Sequence, residues 1–409
     1  MNAQITMPRR EKLEQLLGNG EAVILFAKPE ANLEKFSQDN NFLYFTGLNH
    51  PELIYCAYKL NDKFSETIFI ERSNPEREVW DGKKLNADEA SEISGIKNIA
   101  YKDEFLRSIS ALCPMLTKIW ANLGAVALDK PLSMAMFTLD PIRSRYPRIV
   151  MEQINDLVTP LRKVKSDWEI MQLQKAIDIT GKAIFDVWES AQAGMMEYEL
   201  EAMIYYRMQR SGVKKWGFAP IIAAGINAAT LHYGKNECQI GSGEAVLLDI
   251  GASYNNYSAD ISRTFPIGEK FSPRQAEIYS AVLEVQKKSI EMVKPGASLT
   301  EINTDSRALI AEALIKLGLI DNPDDVSKYY MHSIGHFLGM DTHDLGGRAA
   351  ILEPGNVITI EPGIYIPEEK LGVRIEDDIL VTESGFCVLS QNIPKEISDI
   401  EEIRKLAFE

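Results

Sequence analysis

Cysteine and histidine are both scarce in this sequence. Its 409 residues hold four cysteines, at positions 56, 113, 238 and 387, widely spaced and with no CxxC pair. That excludes a disulfide-framed secreted module and a thiolate metal site, and it fits a reducing compartment. No run of about 18 apolar residues exists to cross a bilayer. The opening MNAQITMPRREKLEQLL has no apolar leader core, so the expectation is a cytoplasmic protein with no membrane partner. Positive charge is short as well: 44 Lys and Arg against 59 Asp and Glu leave a net charge of −15. A nucleic-acid partner is therefore not expected. Five histidines occur in the whole chain, yet three of them, His332, His336 and His343, fall within HSIGHFLGMDTHD. Concentrated imidazole in an acidic chain points toward bound cations.

A chain of 409 residues exceeds one ordinary core, so two domains are expected. In residues 1–160 a helical RREKLEQLL is followed by short apolar runs at 22–27, 53–60, 66–70 and 125–129, each bounded by polar or turn residues. These read as strands of a small α/β domain with a mixed or parallel sheet. LVTPLRKVKSDWE is the joint, and Ser166 with Glu169 forms a capping box that opens a helix. Along that helix Ile170, Leu173, Ile177, Ile184, Val187 and Trp188 share one face. Further helices are expected over about 197–210, from Ser272–Pro273 to near Pro295–Gly296, and over about 300–317. The strands AVLLDIG, SADISRTF, NVITI and GVRIEDDILV lie between and after them, so residues 166–409 read as an α+β domain.

His332 and His336, four apart, would share a helix face as in zinc peptidases. Gly335 and Gly339 argue for a loop instead, and the glutamate that should follow the first histidine is absent. The plain alternative is that these are hydrogen-bonded structural histidines. Asp249 and Asp260 each sit in an apolar strand run, where Asp is depleted. A hairpin would bring them across from each other, and bare like charges there repel. A cation removes that objection; otherwise one is a turn residue and the other pairs with Arg263. Glu361 ends the strand VITI at a Pro-Gly turn, and Glu376 lies mid-strand in VRIEDDILV. Asp377 then points to the other face, while Asp378 shares the face of Glu376 and stays open as a candidate. Glu353, which opens a strand, reads as a solvated turn residue. Four carboxylates balance two divalent ions. An oxygen-rich set of this kind suits Mn²⁺ first, with Co²⁺, Fe²⁺ or Zn²⁺ as alternatives. Paired ions activate a water and polarise a carbonyl, which is metal-assisted hydrolysis.

In order, LLDIGASYNNYSADISRTF, HSIGHFLGMDTHDLG, TIEPGIYI and GVRIEDDILVT, with TLHYGKN upstream, resemble the metal-dependent pita-bread peptidases. NNFLYFTGLNHPE and REVWDGKKL are similar to the aminopeptidase P (Xaa-Pro aminopeptidase) branch of that family. The resemblance implies an α/β N-terminal domain (1–160) plus an α+β pita-bread C-terminal catalytic domain (166–409). It implies Asp249, Asp260, His336, Glu361 and Glu376 as ligands of two divalent ions. By the same resemblance His232, His332 and His343 face the substrate and steady the tetrahedral intermediate. Glu361 shuttles a proton, and Tyr365 and Arg374 orient ligands and water. Trp80 matches an aromatic that reaches a neighbouring subunit's active site, which implies a homo-oligomer, dimer or tetramer. The implied substrates are peptides with proline at the second position, the ring resting on apolar walls around Tyr365. A prolidase restricted to Xaa-Pro dipeptides uses the same ligands. Metal-free binding modules and amidinohydrolases of this fold lose ligands, and none is lost here.

Overall fold

The computed structural model describes residues 1–30, 36–124 and 129–408. The chain folds as two units, Met1–Leu161 and Arg162–Glu409. The first unit is built on a six-stranded sheet of β1 (Glu21–Phe26), β2 (Ile54–Leu60), β3 (Lys63–Ile70), β4 (Ile99–Tyr101), β5 (Lys118–Ala121) and β6 (Val150–Gln153). Their spatial order is β4-β3-β2-β1-β5-β6. The β1–β2 and β2–β3 pairs are antiparallel, and the β1–β5, β5–β6 and β3–β4 pairs are parallel, so the sheet is mixed. Three apolar runs of the sequence become β1, β2 and β3. The run at 125–129 falls largely outside the described residues. β4, β5 and β6 are too short and too partly buried to stand out as hydrophobic runs.

The second unit starts at Arg162, and the capping box opens a helix just inside it. The helix Asp167–Ser190 starts after Ser166, whose backbone N–H donates to the Glu169 carboxylate at 3.0 Å. Helices Glu197–Arg210, Pro273–Glu291 and Leu299–Lys316 follow. The helix from Pro273 ends four residues before the Pro295–Gly296 stop. Ten strands complete the unit: β7 (Ile221–Ala224), β8 (Ala245–Ile250), β9 (Ser253–Tyr254), β10 (Tyr257–Ser258), β11 (Ile261–Pro266), β12 (Val357–Ile360), β13 (Gly363–Ile366), β14 (Leu371–Arg374), β15 (Asp377–Thr382) and β16 (Gly385–Val388). They form small antiparallel sheets β11-β8-β7, β12-β15-β16, β10-β9 and β13-β14. This is the α+β catalytic architecture.

Two hairpins carry the acidic residues. In the first, one register runs from β8–β11 through β9–β10 to a two-residue turn at Asn255–Asn256, both at positive φ (48° and 66°). Asparagine tolerates that conformation, and a turn of this kind follows the twist of the flanking strands. Gly251 is required by close approach, since a Cβ there would lie 1.8 Å from the Ala259 carbonyl oxygen. In this register Asp249 faces Ser262, so Asp260 stands one diagonal step away on the same face, not directly opposite.

The second hairpin corrects the sequence reading. GVRIEDDILV is not one strand: it breaks at Ile375–Glu376, and β14 and β15 belong to different sheets. β12 and β13 break likewise at Glu361–Pro362. One register still runs through both halves, with Ile360 paired to Asp377 below the break and Gly363 to Arg374 above it. Glu361 and Glu376 therefore fall opposite each other where the ladder opens. Their backbone N–H groups bond elsewhere, to Ile334 O (2.8 Å) and Ser262 O (3.1 Å). The break turns both side chains off the sheet.

Candidate metal centre

The stretch 331–344 forms neither helix nor strand, as its glycines foretold. Gly335 lies against the β12 backbone, where a Cβ would sit 2.0 Å from Thr359 O. This approach lets the His336 N–H reach Thr359 Oγ1 at 3.1 Å. His336 Nδ1 faces the Phe337 carbonyl at 3.0 Å. A carbonyl only accepts, so Nδ1 carries a proton, and in the neutral ring Nε2 presents a lone pair. That lone pair faces Asp260 Oδ2 at 3.4 Å and Glu361 Oε1 at 3.6 Å. Atoms of Asp260, His336 and Glu376 come within 4.8 Å of one another.

Arg374 joins the remaining acids to this group. Its guanidinium donates to Asp249 Oδ2 (2.6 Å), Ser262 Oγ (2.8 Å) and the Tyr365 hydroxyl (2.9 Å). Ser262 in turn donates to Glu376 Oε2 at 2.7 Å. The structure thus brings Asp249, Asp260, His336, Glu361, Glu376, Arg374 and Tyr365 together. One guanidinium is set against four carboxylates. Burial first, and then the neighbouring acids, push Asp260 and Glu376 well above the usual carboxylate range. Burial also raises Glu361, with Asp249 adding to the shift against His336 and Arg374. Asp249 Oδ1 is buried with no hydrogen-bond partner. An imidazole nitrogen, an orphaned carboxylate oxygen and opposed acids converge here. This donor set fits hard or borderline divalent cations.

His332 is placed differently from the sequence expectation. His332 has both ring nitrogens engaged, Nδ1 with Ser333 O and Nε2 with the Tyr365 hydroxyl, each at 2.8 Å. Since Tyr365 accepts from Arg374, its own proton goes to His332 Nε2. Burial, followed by the Arg374 charge, lowers His332 to about 4. We therefore expect its ring resonances to stay flat between about pH 8 and 5.5 in an NMR titration of the metal-free protein. A midpoint near the ordinary value of about 6.5 would rule out this network. His343 is exposed, its ring 4.3 Å from that of His336 and edge-on to it. Burial, His336 and His232 lower its pKa. His232 is exposed on the loop after Thr230, near enough for its charge to bear on both His332 and His343.

Tyr365 is completely buried in a cluster with Ile221, Ala223, Ala228 and Leu247. It supports the site from below and does not wall an accessible pocket, which corrects that expectation. The Arg263 alternative also falls, because Arg263 pairs with Asp377 at 2.7 Å, both fully buried. Asp377 is further held by Gln286, Ser390 and Lys395. Asp378, left open by the sequence, accepts the Asp260 N–H at 3.2 Å. Glu353 is exposed and pairs with Lys163. Sequence reasoning missed Ser262 and Thr359. Alternation held the signal, since Ser262 shares a face with Asp260 and Thr359 with Glu361.

Two family models match the chain. One, described as metallopeptidase family M24, covers residues 171–383, and one described as the aminopeptidase P N-terminal domain covers residues 7–120. The chain is 33% identical over 421 residues to the Xaa-Pro aminopeptidase of Escherichia coli strain K12, with 96% of each chain covered. It is 34% identical over 429 residues to human Xaa-Pro aminopeptidase 3, covering 97% of this chain and 84% of the human one. Among solved structures it is similar to E. coli aminopeptidase P with the inhibitor Pro-Leu. There the TM-score is 0.91 at 31% identity, over 100% of this chain and 99% of the other.

Proposed function

The chain belongs to metallopeptidase family M24, in its aminopeptidase P branch, and from that premise we propose that it is a Xaa-Pro aminopeptidase. It hydrolyses the bond between an N-terminal residue and a following proline. The observation that carries the reading is the opposition of Glu361 and Glu376 beside the His336 lone pair. We assign Asp249, Asp260, His336, Glu361 and Glu376 as ligands of two divalent ions, Mn²⁺ first and Co²⁺, Fe²⁺ or Zn²⁺ as alternatives. The family supports two, and four carboxylates can offset the charge of a pair of dications, with the Arg374 guanidinium beside them. When bound, such ions supply Lewis-acid polarisation of the scissile carbonyl and a water activated at neutral pH.

The chain's own residues do the rest. Arg374 fixes Asp249 directly and Glu376 through Ser262, and its charge is held in place by Tyr365. His332 acts at one remove, by orienting the Tyr365 hydroxyl. His343 and His232 steady the oxyanion as water adds to the carbonyl carbon. Glu361 takes the water's proton and returns it to the proline nitrogen as the C–N bond breaks. That nitrogen carries no hydrogen in the peptide, so it leaves as a secondary amine only with a delivered proton.

The reading extends to a homo-oligomer, dimer or tetramer, supported by Trp80 standing 87% exposed on the helix Pro75–Asp81. Four unpaired cysteines support a cytoplasmic setting. No helix among the described residues is long and apolar enough to cross a membrane. The test is proline-dependent release of the first residue from Xaa-Pro-Xaa peptides by protein reloaded with each candidate ion. Cleavage of the tripeptide is expected; cleavage of Xaa-Pro dipeptides alone would make it a prolidase, and no cleavage with any ion would overturn the assignment.

A further inference from the structure

His336 and His332 are held by hydrogen bonds to their own rings, but the exposed His232 makes none among the described residues. Its position is set by the backbone that carries it. That backbone, from Ala224 to Cys238, is irregular apart from one short 3₁₀ turn at Gly225–Ala229. Something else must hold it, and one side chain does so from both ends.

Glu197, the first residue of the helix Glu197–Arg210, is completely buried. Its Oε1 accepts from Ala224 N–H (2.8 Å) and Asn227 Nδ2 (2.9 Å). Its Oε2 accepts from the Tyr233 hydroxyl (2.6 Å) and Cys238 N–H (3.0 Å). The Glu197 N–H returns a bond to Cys238 O at 3.0 Å. No cation pairs with this carboxylate among the described residues. The four donors and the positive end of its own helix answer for its burial. All four donors lie between 224 and 238, on both sides of His232, and Tyr233 is its immediate neighbour. Asn236 adds a separate pin, accepting from Ile222 N–H (3.1 Å) and donating to Glu201 (2.9 Å) and Pro220 O (3.1 Å).

We propose that Glu197 is a positioning residue that gathers the 224–238 loop and so places His232 over the metal centre. The proposal rests on the reading that His232 meets the substrate. Glu197 touches nothing that reacts; His232 is the one residue of this loop assigned to meet the substrate, while Ala228 of the same loop packs against Tyr365, so a double-mutant cycle measures how much of the effect passes through His232.

The test is a double-mutant cycle of Glu197→Gln with His232→Ala, read with hydrogen exchange on the metal-loaded protein. The amide of Gln keeps the shape but turns an NH₂ group toward two donors. Glu197→Gln is expected to lower kcat on a Xaa-Pro-Xaa peptide by roughly 10–100-fold, the scale of a misplaced catalytic group. In the His232→Ala background the same change should cost less than about twofold, because coupled residues are not additive. Backbone amides of 224–238 should exchange faster while those of β8 and β12 stay unchanged. An equal cost in both backgrounds would overturn the proposal, as would unaltered exchange across 224–238. If Glu197→Gln does not accumulate folded, Tyr233→Phe removes a single donor and passes through the same cycle with a smaller expected loss. Should the wild type leave every Xaa-Pro-Xaa peptide intact, the functional reading fails first. The exchange experiment then still decides whether Glu197 holds the loop.

Discussion

Replacing Glu361 with Gln is expected to lower kcat on a Xaa-Pro tripeptide by roughly 10²–10⁴-fold, the range for a lost acid–base group. Glu361 sits where β12 leaves its sheet, with Thr359 donating to its carboxylate and two imidazoles alongside. Thr359 Oγ1 donates to Oε1 at 3.4 Å, His336 Nε2 lies 3.6 Å from the same oxygen, and His332 Nδ1 lies 3.8 Å from Oε2. A Gln side chain fills that space but offers no proton-accepting oxygen of comparable basicity and one weaker ligand. The fold should tolerate it well. In the metal-free chain Glu361 is one of four converging acids, and burial already disfavours its charge. The melting temperature of metal-free Glu361→Gln is therefore expected to equal or exceed that of metal-free wild type. Loss of activity without loss of apo stability separates a catalytic role from a structural one. A variant that kept more than about a tenth of wild-type kcat, against the hundredfold minimum above, would remove Glu361 from the mechanism.

Chelation is expected to lower the melting temperature, and to do so more at neutral than at mildly acidic pH. Ligand held only by the folded state stabilises it by about 2.7 kcal/mol at a hundredfold excess over Kd. Each kcal/mol corresponds to roughly 2–4 °C for a unit of this size. The pH dependence follows from the carboxylates. Burial and mutual repulsion raise Asp260, Glu376 and Glu361 in the folded chain, and burial raises Asp378. An acid whose folded pKa exceeds its unfolded value of about 4 favours folding below that value. The advantage is lost as pH rises through the folded pKa. Metal-free protein therefore weakens on going from acid toward neutral pH, where the ions would relieve the repulsion. His332 opposes this: its folded pKa is lowered, so its stabilising effect is lost as pH falls below about 6.5. His343 is lowered too, so two such groups at the site stand against four acids. Differential scanning fluorimetry with and without chelator, at about pH 5.5 and 7.5, measures the gap directly. Identical melting temperatures in the two conditions at neutral pH would contradict a shared cation site.

The sequence was most informative where composition and local chemistry conflict. Asp249 and Asp260 in apolar strand runs, and three histidines among glycines, marked these positions as candidates for a cation site. The Ser166–Glu169 box and the Ser272–Pro273 start marked helices correctly, because caps are satisfied by neighbours in the chain. The strand through Glu376 was misjudged for the opposite reason. VRIEDDILV alternates as a single strand should, and nothing local records that its two halves pair in different sheets.

By itself, then, the sequence determined the residue types of the site, the loop character of 332–344 and the two-part plan of the chain. These rest on propensities and spacings that act over a few residues. Only the tertiary structure decided which groups share a proton or a face. It set Glu361 opposite Glu376 at a break in the ladder, closed both nitrogens of His332 and gave Arg263 to Asp377. It also turned Tyr365 inward beneath the site. Apart from the Ser333 carbonyl beside His332, each of these depends on a partner well separated in the chain, and burial of charge fixes such partners only once the fold has brought them together.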